Sequence, residues 1–462
     1  MLMRHLRAAG LVVAFLLPVV ALAESPAPPT SPEKALADYV ARPDDSFHWV
    51  KRSEGDIATG KYVELILTSQ KWKDIVWKHQ LFLLKPASCR DDVKSAVLFI
   101  TGGSWKDEYE LPPSAGAKLP DAALLFALQA EKLQTPVAVL LHCPFQPIFD
   151  GKKEDQIIAY TFKNYLETGD PTWPLLLPMV KTAVRAMDAT QEACKQQWGL
   201  EIESFTVSGG SKRGWTTWLT GAVDKRATAL APMVIDTLHM DKQMELQRLS
   251  FGGKPSEQID DYTTLGLDKQ FDTPRGKSLL SIVDPYRYRQ SYQQPKLLIL
   301  GTNDRYWPVD ALNLYWDDLP GEKYVLYCPN QGHGIKDYGR VFGSLNALHQ
   351  RMIHGKKLPK LKWSYTNGTS GLTLHVECDI KPSKVVMWTA SAKTRDFRES
   401  QWSSSPTEAS GDKFVCNLAT PTEGYSAMFA EAVFEEDCET PYYFSTNLRV
   451  LPSAEIAAGG GK

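Results

Sequence analysis

Phe205-Thr206-Val207-Ser208-Gly209-Gly210-Ser211-Lys212-Arg213-Gly214-Trp215 reads as a short apolar strand, 205–208, that runs into a Gly-Gly-Ser turn and then into a helix. A serine held on a sharp strand-to-helix turn needs small neighbours, because the backbone there is strained and crowded. Gly209 stands two residues before Ser211, as the G-x-S-x-G pattern of such turns requires. Two residues after Ser211 stands Arg213, and Gly214 comes one position later. The match is partial. A Gly-Gly-Ser turn also caps helices innocently, so this stretch alone leaves nucleophile and cap equally open.

Two stretches further along the chain break the tie. Residues 296–300 form an apolar strand that ends in Gly301-Thr302-Asn303-Asp304-Arg305-Tyr306-Trp307, with a carboxylate just past the strand. Residues 324–328 form another, followed by Asn330-Gln331-Gly332-His333-Gly334, a histidine on a glycine-flanked loop. Each residue has a bland alternative, Asp304 as a turn residue and His333 as a helix cap. The order Ser211, Asp304, His333 is nevertheless the chain order of an α/β-hydrolase triad. The separations, 304 − 211 = 93 and 333 − 304 = 29, leave room for a strand with an inserted lid and then for one helix and one strand.

The chemistry follows from residue type. A serine hydroxyl needs a base within hydrogen-bond reach, the role expected of His333, and Asp304 would fix its tautomer and stabilise the imidazolium. An oxyanion needs preorganised donors. The backbone N–H of Lys212 is one, and the Gly102-Gly103-Ser104-Trp105 turn after the strand 96–101 offers Gly103, Ser104 and Trp105 as others. A lysine in a first helical turn opposes the helix dipole, so the Lys212 ammonium is either an ordinary surface charge or one that serves the site. Asp236, one strand earlier, is a fallback acid for the same histidine. His142, beside Cys143, either lines the pocket or packs. His239 with Asp236 and Asp241 has no recognised metal-ligand spacing, so neither a metal nor a cofactor is expected.

Around these motifs, apolar strands at 96–101, 137–142, 205–208, 229–235, 296–301 and 324–328 alternate with helical patterns at 121–133, 175–198 and 338–353. That rhythm argues for a doubly wound α/β sheet in a hydrolase domain spanning 33–358. Two β-rich runs, 62–68 and 75–84, fit antiparallel strands at its edge. Residues 237–292 are polar, carry Gly252-Gly253, and read as an inserted lid. From 359 to 453 short β-rich segments, including 385–389, 425–434 and 443–451, predict a sandwich-like domain. Trp388 and Trp402 there suit either sugar stacking or a sandwich core, and core is the commoner role. Residues 454–462 read as a frayed tail.

The chain of 462 residues is 43% hydrophobic and 23% charged, which is ordinary globular composition. Its net charge of -2 gives no basic excess, so nucleic acid is not an expected partner. Arg4 and Arg7, the apolar run 8–22 and Ala21-Leu22-Ala23 read as a cleavable signal peptide, 1–23, of bacterial type. Cleavage removes two Arg and no acid, giving -2 − 2 = -4. The run is short for a span of about 20 residues, and no cysteine follows for a lipid anchor. The expectation is a periplasmic or secreted protein behind a Pro-rich tether, 24–32. Export permits disulfides among the seven cysteines; an odd count leaves at least one unpaired, and a bridge among Cys378, Cys416 and Cys438 is plausible. Asn367-Gly368-Thr369 matches a glycosylation sequon that a bacterial leader makes moot.

The Gly-Gly-Ser211-Lys-Arg-Gly-Trp-Thr-Thr-Trp run, the Asp304 and His333 motifs, and Thr394-Arg-Asp-Phe-Arg398 with Trp402 resemble the PhoPQ-activated pathogenicity-related (PqaA-type) proteins over nearly the whole mature chain. The resemblance implies an exported α/β-hydrolase with a C-terminal β domain. Its bacterial members take their name from a two-component system that senses magnesium and cationic peptides. A eukaryotic branch includes secreted proliferation repressors. A weaker likeness is to glucuronoyl esterases, whose serine also precedes a basic residue, as Ser211 precedes Lys212, although their cysteine before the serine is missing. It hints at acidic ester substrates. Two functions therefore stand: a serine hydrolase of small-molecule, saccharide or peptide esters (an esterase before a peptidase), or a secreted binding or signalling protein on that scaffold.

Overall fold

The computed structural model describes residues 31–453 except 115–118, 369, 411–412 and 436–439. The expected signal peptide, most of the tether, the tail, Thr369 of the sequon and Cys438 therefore lie outside the described residues.

The chain opens with a short helix, α1 (Ala35–Ala41), and an antiparallel meander of β1 (His48–Ile57), β2 (Gly60–Trp72) and β3 (Ile75–Pro86). Sequence reading found only β2 and β3. β1 escaped because it is half-exposed along its length and shows no apolar alternation. The sheet then continues through β4 (Ser95–Ile100), β5 (Val137–Leu140), β6 (Ser204–Gly210), β7 (Ala227–Met233), β8 (Lys296–Gly301) and β9 (Lys323–Cys328). The spatial order is β1-β2-β3-β5-β4-β6-β7-β8-β9, and every pair from β5 to β9 is parallel.

Parallel strands are covered on both faces and so read as unbroken apolar runs. β4 shows it: Leu98 and Ile100 join the cluster under α3 (Asp155–Thr168), α4 (Leu176–Trp198) and α5 (Lys212–Val223). Val97 and Phe99 face the other way, toward α2 (Asp121–Leu133) and α9 (Tyr338–His354). Between β7 and β8 the 237–292 insertion is mostly helical, with α6 (Met240–Ser250), α7 (Asp260–Thr263) and α8 (Pro274–Val283).

The C-terminal part has two layers. β10 (Leu361–Gly368), β11 (Gly371–Cys378), β15 (Lys413–Ala419) and β14 (Glu408–Ser410) form a separate four-stranded sheet. The other layer comprises β12 (Lys384–Ala392), β13 (Ser403–Pro406), β16 (Tyr425–Phe434), β17 (Tyr442–Ser445) and β18 (Arg449–Leu451). It is continuous with the main sheet, because β17 bridges β9 at Ser445 and Val325. Leu374, Val376 and Cys416 of one layer share a core with Val385, Ala430 and Ala432 of the other, so the layers face each other as in a sandwich. The six described cysteines form no disulfide, and Cys378 and Cys416 do not join.

Candidate active site

Ser211 follows the last residue of β6 and precedes the first of α5. Its backbone is at φ 59°, ψ -128°, a region that a side chain ordinarily avoids and that persists only where the surroundings enforce it. Two glycines enforce it. A Cβ on Gly209 would lie 2.8 Å from the Arg213 carbonyl oxygen, and one on Gly214 would lie 2.7 Å from Ile235 Cγ2 and 2.9 Å from the Gly209 oxygen. The glycine displaced by one position thus does the packing that brings α5 onto β6 and β7, and the imperfect motif is accounted for. Arg213, at the usual glycine position, sends its guanidinium sideways to the Cys143 carbonyl at 2.6 Å and to both Glu154 oxygens at 2.7 and 2.8 Å.

The three sequence-predicted residues converge. His333 Nε2 is 2.8 Å from Ser211 Oγ, and His333 Nδ1 lies 2.9 and 3.1 Å from the two Asp304 oxygens. Asp304 also accepts the Tyr306 N–H at 2.9 Å, which fixes the carboxylate from below, and the Tyr306 ring packs on the imidazole at 4.2 Å. Asp236 is not the acid. It is fully buried, accepts the Tyr315 hydroxyl at 2.7 Å, and burial raises it to about 7.

Lys212 is nearly buried, and its ammonium is committed to Glu154 Oε2 at 2.8 Å and Asp155 Oδ2 at 3.3 Å. Asp155 in turn accepts the hydroxyls of Tyr262 at 2.8 Å and Tyr306 at 3.4 Å. Burial alone would raise Glu154, but the bonds and charges of Arg213 and Lys212 outweigh it and hold the carboxyl near 2. Glu154 sits at φ 52°, ψ -127°, and Gln146 pins it by accepting its N–H at 2.8 Å and donating to Oε1 at 2.7 Å. None of Gln146, Glu154, Asp155 or Tyr262 stood out in the sequence. Lys152-Lys153-Glu154-Asp155 looks like a solvated charge run, and only the start of α3 at Asp155 turns it inward.

Gly103, Ser104 and Trp105 do not line the cavity around Ser211. The Trp105 N–H is already donated to the Gln146 carbonyl at 2.8 Å, so its expected role as an oxyanion donor is corrected. The turn itself lies against the elbow: a Cβ on Gly102 would meet Arg213 Nη2 at 2.5 Å, and one on Gly103 would meet His142 Nδ1 at 2.7 Å. His142 packs, bonding Gln80 at 2.9 Å and stacking on Tyr109, and burial lowers it to about 4. His239 stacks on Tyr286 and contacts the Leu314 carbonyl. Among the described residues no cluster has the makings of a metal site. Trp402 is core, 2% exposed, against Phe397 and Phe429. Trp388 is half-buried, its indole N–H on Glu431.

The 394–402 segment reaches back from the C-terminal layers to the site. Asn303, next to Asp304, donates to the carbonyls of Phe397, Arg398 and Ser400 at 3.4, 3.2 and 2.7 Å. Asn330, on the histidine loop, pairs with both backbone groups of Trp402 at 2.7 and 2.9 Å. Arg395 bonds Asp310 and the lid residue Ser250, and Arg398 bonds Glu257 of the lid at 2.6 Å. One strap therefore touches the acid loop, the base loop and the lid.

A mostly parallel sheet of this strand order, with the serine elbow after β6 and the acid and histidine after β8 and β9, defines an α/β-hydrolase fold. The chain belongs to the PhoPQ-activated pathogenicity-related protein family, whose model matches residues 36–398. The Autocrine proliferation repressor protein A of Dictyostelium discoideum is 31% identical over 459 residues, covering 90% of both chains. Among solved structures, an acetyl xylan esterase from Paenibacillus sp. R4 overlaps 70% of this chain and 92% of its own at TM-score 0.46 and 13% identity. A glucuronoyl esterase from Solibacter usitatus overlaps 73% and 98% at TM-score 0.40 and 14% identity. Likenesses this remote carry nothing about substrate.

Proposed function

We propose that the protein is an exported serine esterase working through an acyl-enzyme. The observation that carries the reading is the continuous relay of Ser211 Oγ, His333 and Asp304 behind a strained serine backbone. His333 Nε2 takes the hydroxyl proton as Oγ adds to the ester carbonyl, and Asp304 stabilises the imidazolium. The oxyanion is held by the backbone N–H of Lys212 at the start of α5, which lines the cavity beside Ser211. Collapse breaks the ester C–O bond, the leaving alkoxide takes the proton from His333, and an acyl ester remains on Ser211. Water then attacks with its proton going to His333, the acid departs, and the proton returns to Ser211.

The test is fluorophosphonate labelling of the purified mature protein with intact mass as readout. One adduct on wild type and none on Ser211→Ala supports the reading; a folded wild type that takes no adduct refutes it. The second reading, a secreted signal on a hydrolase scaffold, is favoured by the 31% identity to a protein named an autocrine proliferation repressor. It predicts biological activity that survives Ser211→Ala. Export rests on the leader at 1–23, and N-terminal sequencing of the secreted form should begin at Glu24.

A further inference from the structure

The cavity beside Ser211 is bounded on the lid side by Met240, Met244, Ile259 and Phe271, and on the core side by Trp215 and Ile235. We propose that it is an acyl pocket for short, uncharged chains of about two to four carbons, excluding both long fatty chains and carboxylate-bearing acyl groups. This rests on the serine-esterase reading above.

Size sets the upper limit. The cavity holds about 60 Å³. A single water needs roughly 10–15 Å³ of such space, so about four to six water-sized groups fit, which is the bulk of a short acyl chain. A longer chain would have to displace side chains from the walls, which is unfavourable overpacking, or run out of the open mouth and gain no burial there.

Charge sets the chemistry. Three charged residues line the cavity, and the one cation among them, Lys212, is already matched. Asp155 is held by Tyr262, Tyr306 and Lys212; Lys212 is shared between Asp155 and Glu154; Asp268 is paired with Arg248 at 2.7 Å. What these pairs leave around the serine is mostly the apolar side of Met, Ile, Phe and Trp, with Asp268 Oδ1 and the Thr237 hydroxyl as buried polar atoms lacking a partner, and neither of these is a cation. A carboxylate entering there would lose its water and meet no uncommitted cation, an unfavourable burial. The glucuronoyl-type hint carried by a basic residue after the serine therefore fails here, because Lys212 is spent on its own neighbours. The lid wall also identifies the tunable part. Met240 and Met244 lie on α6, and methionine fills irregular apolar space without fixing its shape.

The experiment is a chain-length series of p-nitrophenyl esters, from acetate to dodecanoate, with the half-ester of succinate as the charged member. On wild type kcat/KM should rise about fourfold per methylene while the chain still fits, peak by butyrate, and fall at least tenfold by octanoate. The succinyl ester should run at least tenfold below butyrate. Met244→Ala should raise the octanoate-to-butyrate ratio at least tenfold. Ile259→Ala, on the same wall, provides the same readout should Met244→Ala fail to fold. A rate that climbs steadily through dodecanoate, a succinyl ester as good as butyrate, or a ratio unmoved in a folded wall variant overturns the proposal. Absence of turnover on every ester together with absence of a fluorophosphonate adduct removes the serine-esterase reading and this pocket assignment with it. Turnover with a different profile removes the pocket assignment alone.

Discussion

Replacing Asn330 with glycine isolates what the 394–402 strap does for catalysis. Asn330 has φ 58°, a conformation glycine adopts freely, so the substitution leaves the backbone at ease and removes only the side-chain amide. That amide accepts the Trp402 N–H at 2.7 Å and donates to the Trp402 carbonyl at 2.9 Å, while the Asn330 N–H keeps its bond to Thr302 Oγ1 at 2.8 Å. Trp402 is buried, so its N–H loses its partner and its carbonyl keeps only a long contact with the Gln401 amide at 3.5 Å. A buried polar group left unpaired costs about 1–3 kcal/mol; with some relaxation toward water, the pair should cost about 2–3 kcal/mol in stability. The functional loss is separate. His333 lies three residues downstream on the same loop, and a shift of about 1 Å in a reacting group can cost about a hundredfold. We therefore expect kcat to fall about 10- to 100-fold with KM nearly unchanged. Asn330→Asp, which keeps the acceptor and loses the donor, should fall between wild type and Asn330→Gly in both stability and rate. The measurements are thermal unfolding and the rate of fluorophosphonate adduct formation at a temperature where all three proteins are folded. A loss of stability with an unchanged rate of adduct formation would show that the strap only holds the layers together and does not position the base.

Other expectations follow from the same geometry. Asp304→Asn should leave the fold intact and lower kcat by about 10⁴, because an amide cannot hold His333 in the tautomer that accepts the serine proton; esterase kinetics with circular dichroism as the folding control decide it. Arg213→Met leaves Glu154 with the Lys212 ammonium and the Gln146 amide as partners and should cost about 3 kcal/mol, the low end for a broken buried pair because Glu154 is partly open to solvent; chemical denaturation measures it. Asp236, raised to about 7 by burial, binds its proton more tightly folded than unfolded. Its contribution to stability is therefore full below pH 3.8 and is lost as pH rises toward 7, and Asp236→Asn should flatten that part of the stability–pH curve. A slope unchanged in Asp236→Asn would refute the assignment.

The fold was legible where strands are buried on both faces and helices are long. Residues 296–301 and 121–133 were read with the bounds the structure gives them, because an unbroken apolar run and a long amphipathic period are each hard to mistake. β1 was not, since a half-exposed edge strand carries no alternation. The segment 443–451 was read as one β stretch, yet it divides into β17 and β18 as the chain changes partners along β16. Neither strand's propensity encodes that. In the site, Ser211, Asp304 and His333 announced themselves by lying past strand ends on glycine-flanked turns. Gln146, Glu154 and Asp155 did not, because their importance arises from a loop that brings them under α5 from some 60 residues away in sequence. Lys212 was noticed as an awkward charge at a helix start, and the structure supplies the carboxylates that relieve it.

That relief bears on what the protein is for. A cation in the first turn of α5 and a serine in a strained conformation are both unfavourable alone, and the chain spends several buried residues to sustain them. Glu154 and Asp155 neutralise Lys212, Gln146 holds Glu154 in a conformation as rare as that of Ser211, and the strap holds both loops that carry the acid and the base. A protein that only presents a surface to a partner gains nothing from any of this, because Ser211, Lys212 and His333 converge on one small cavity. Sequence drift would relax such strain first where function does not need it. The arrangement therefore favours the proposed chemistry at Ser211 over recognition at the surface.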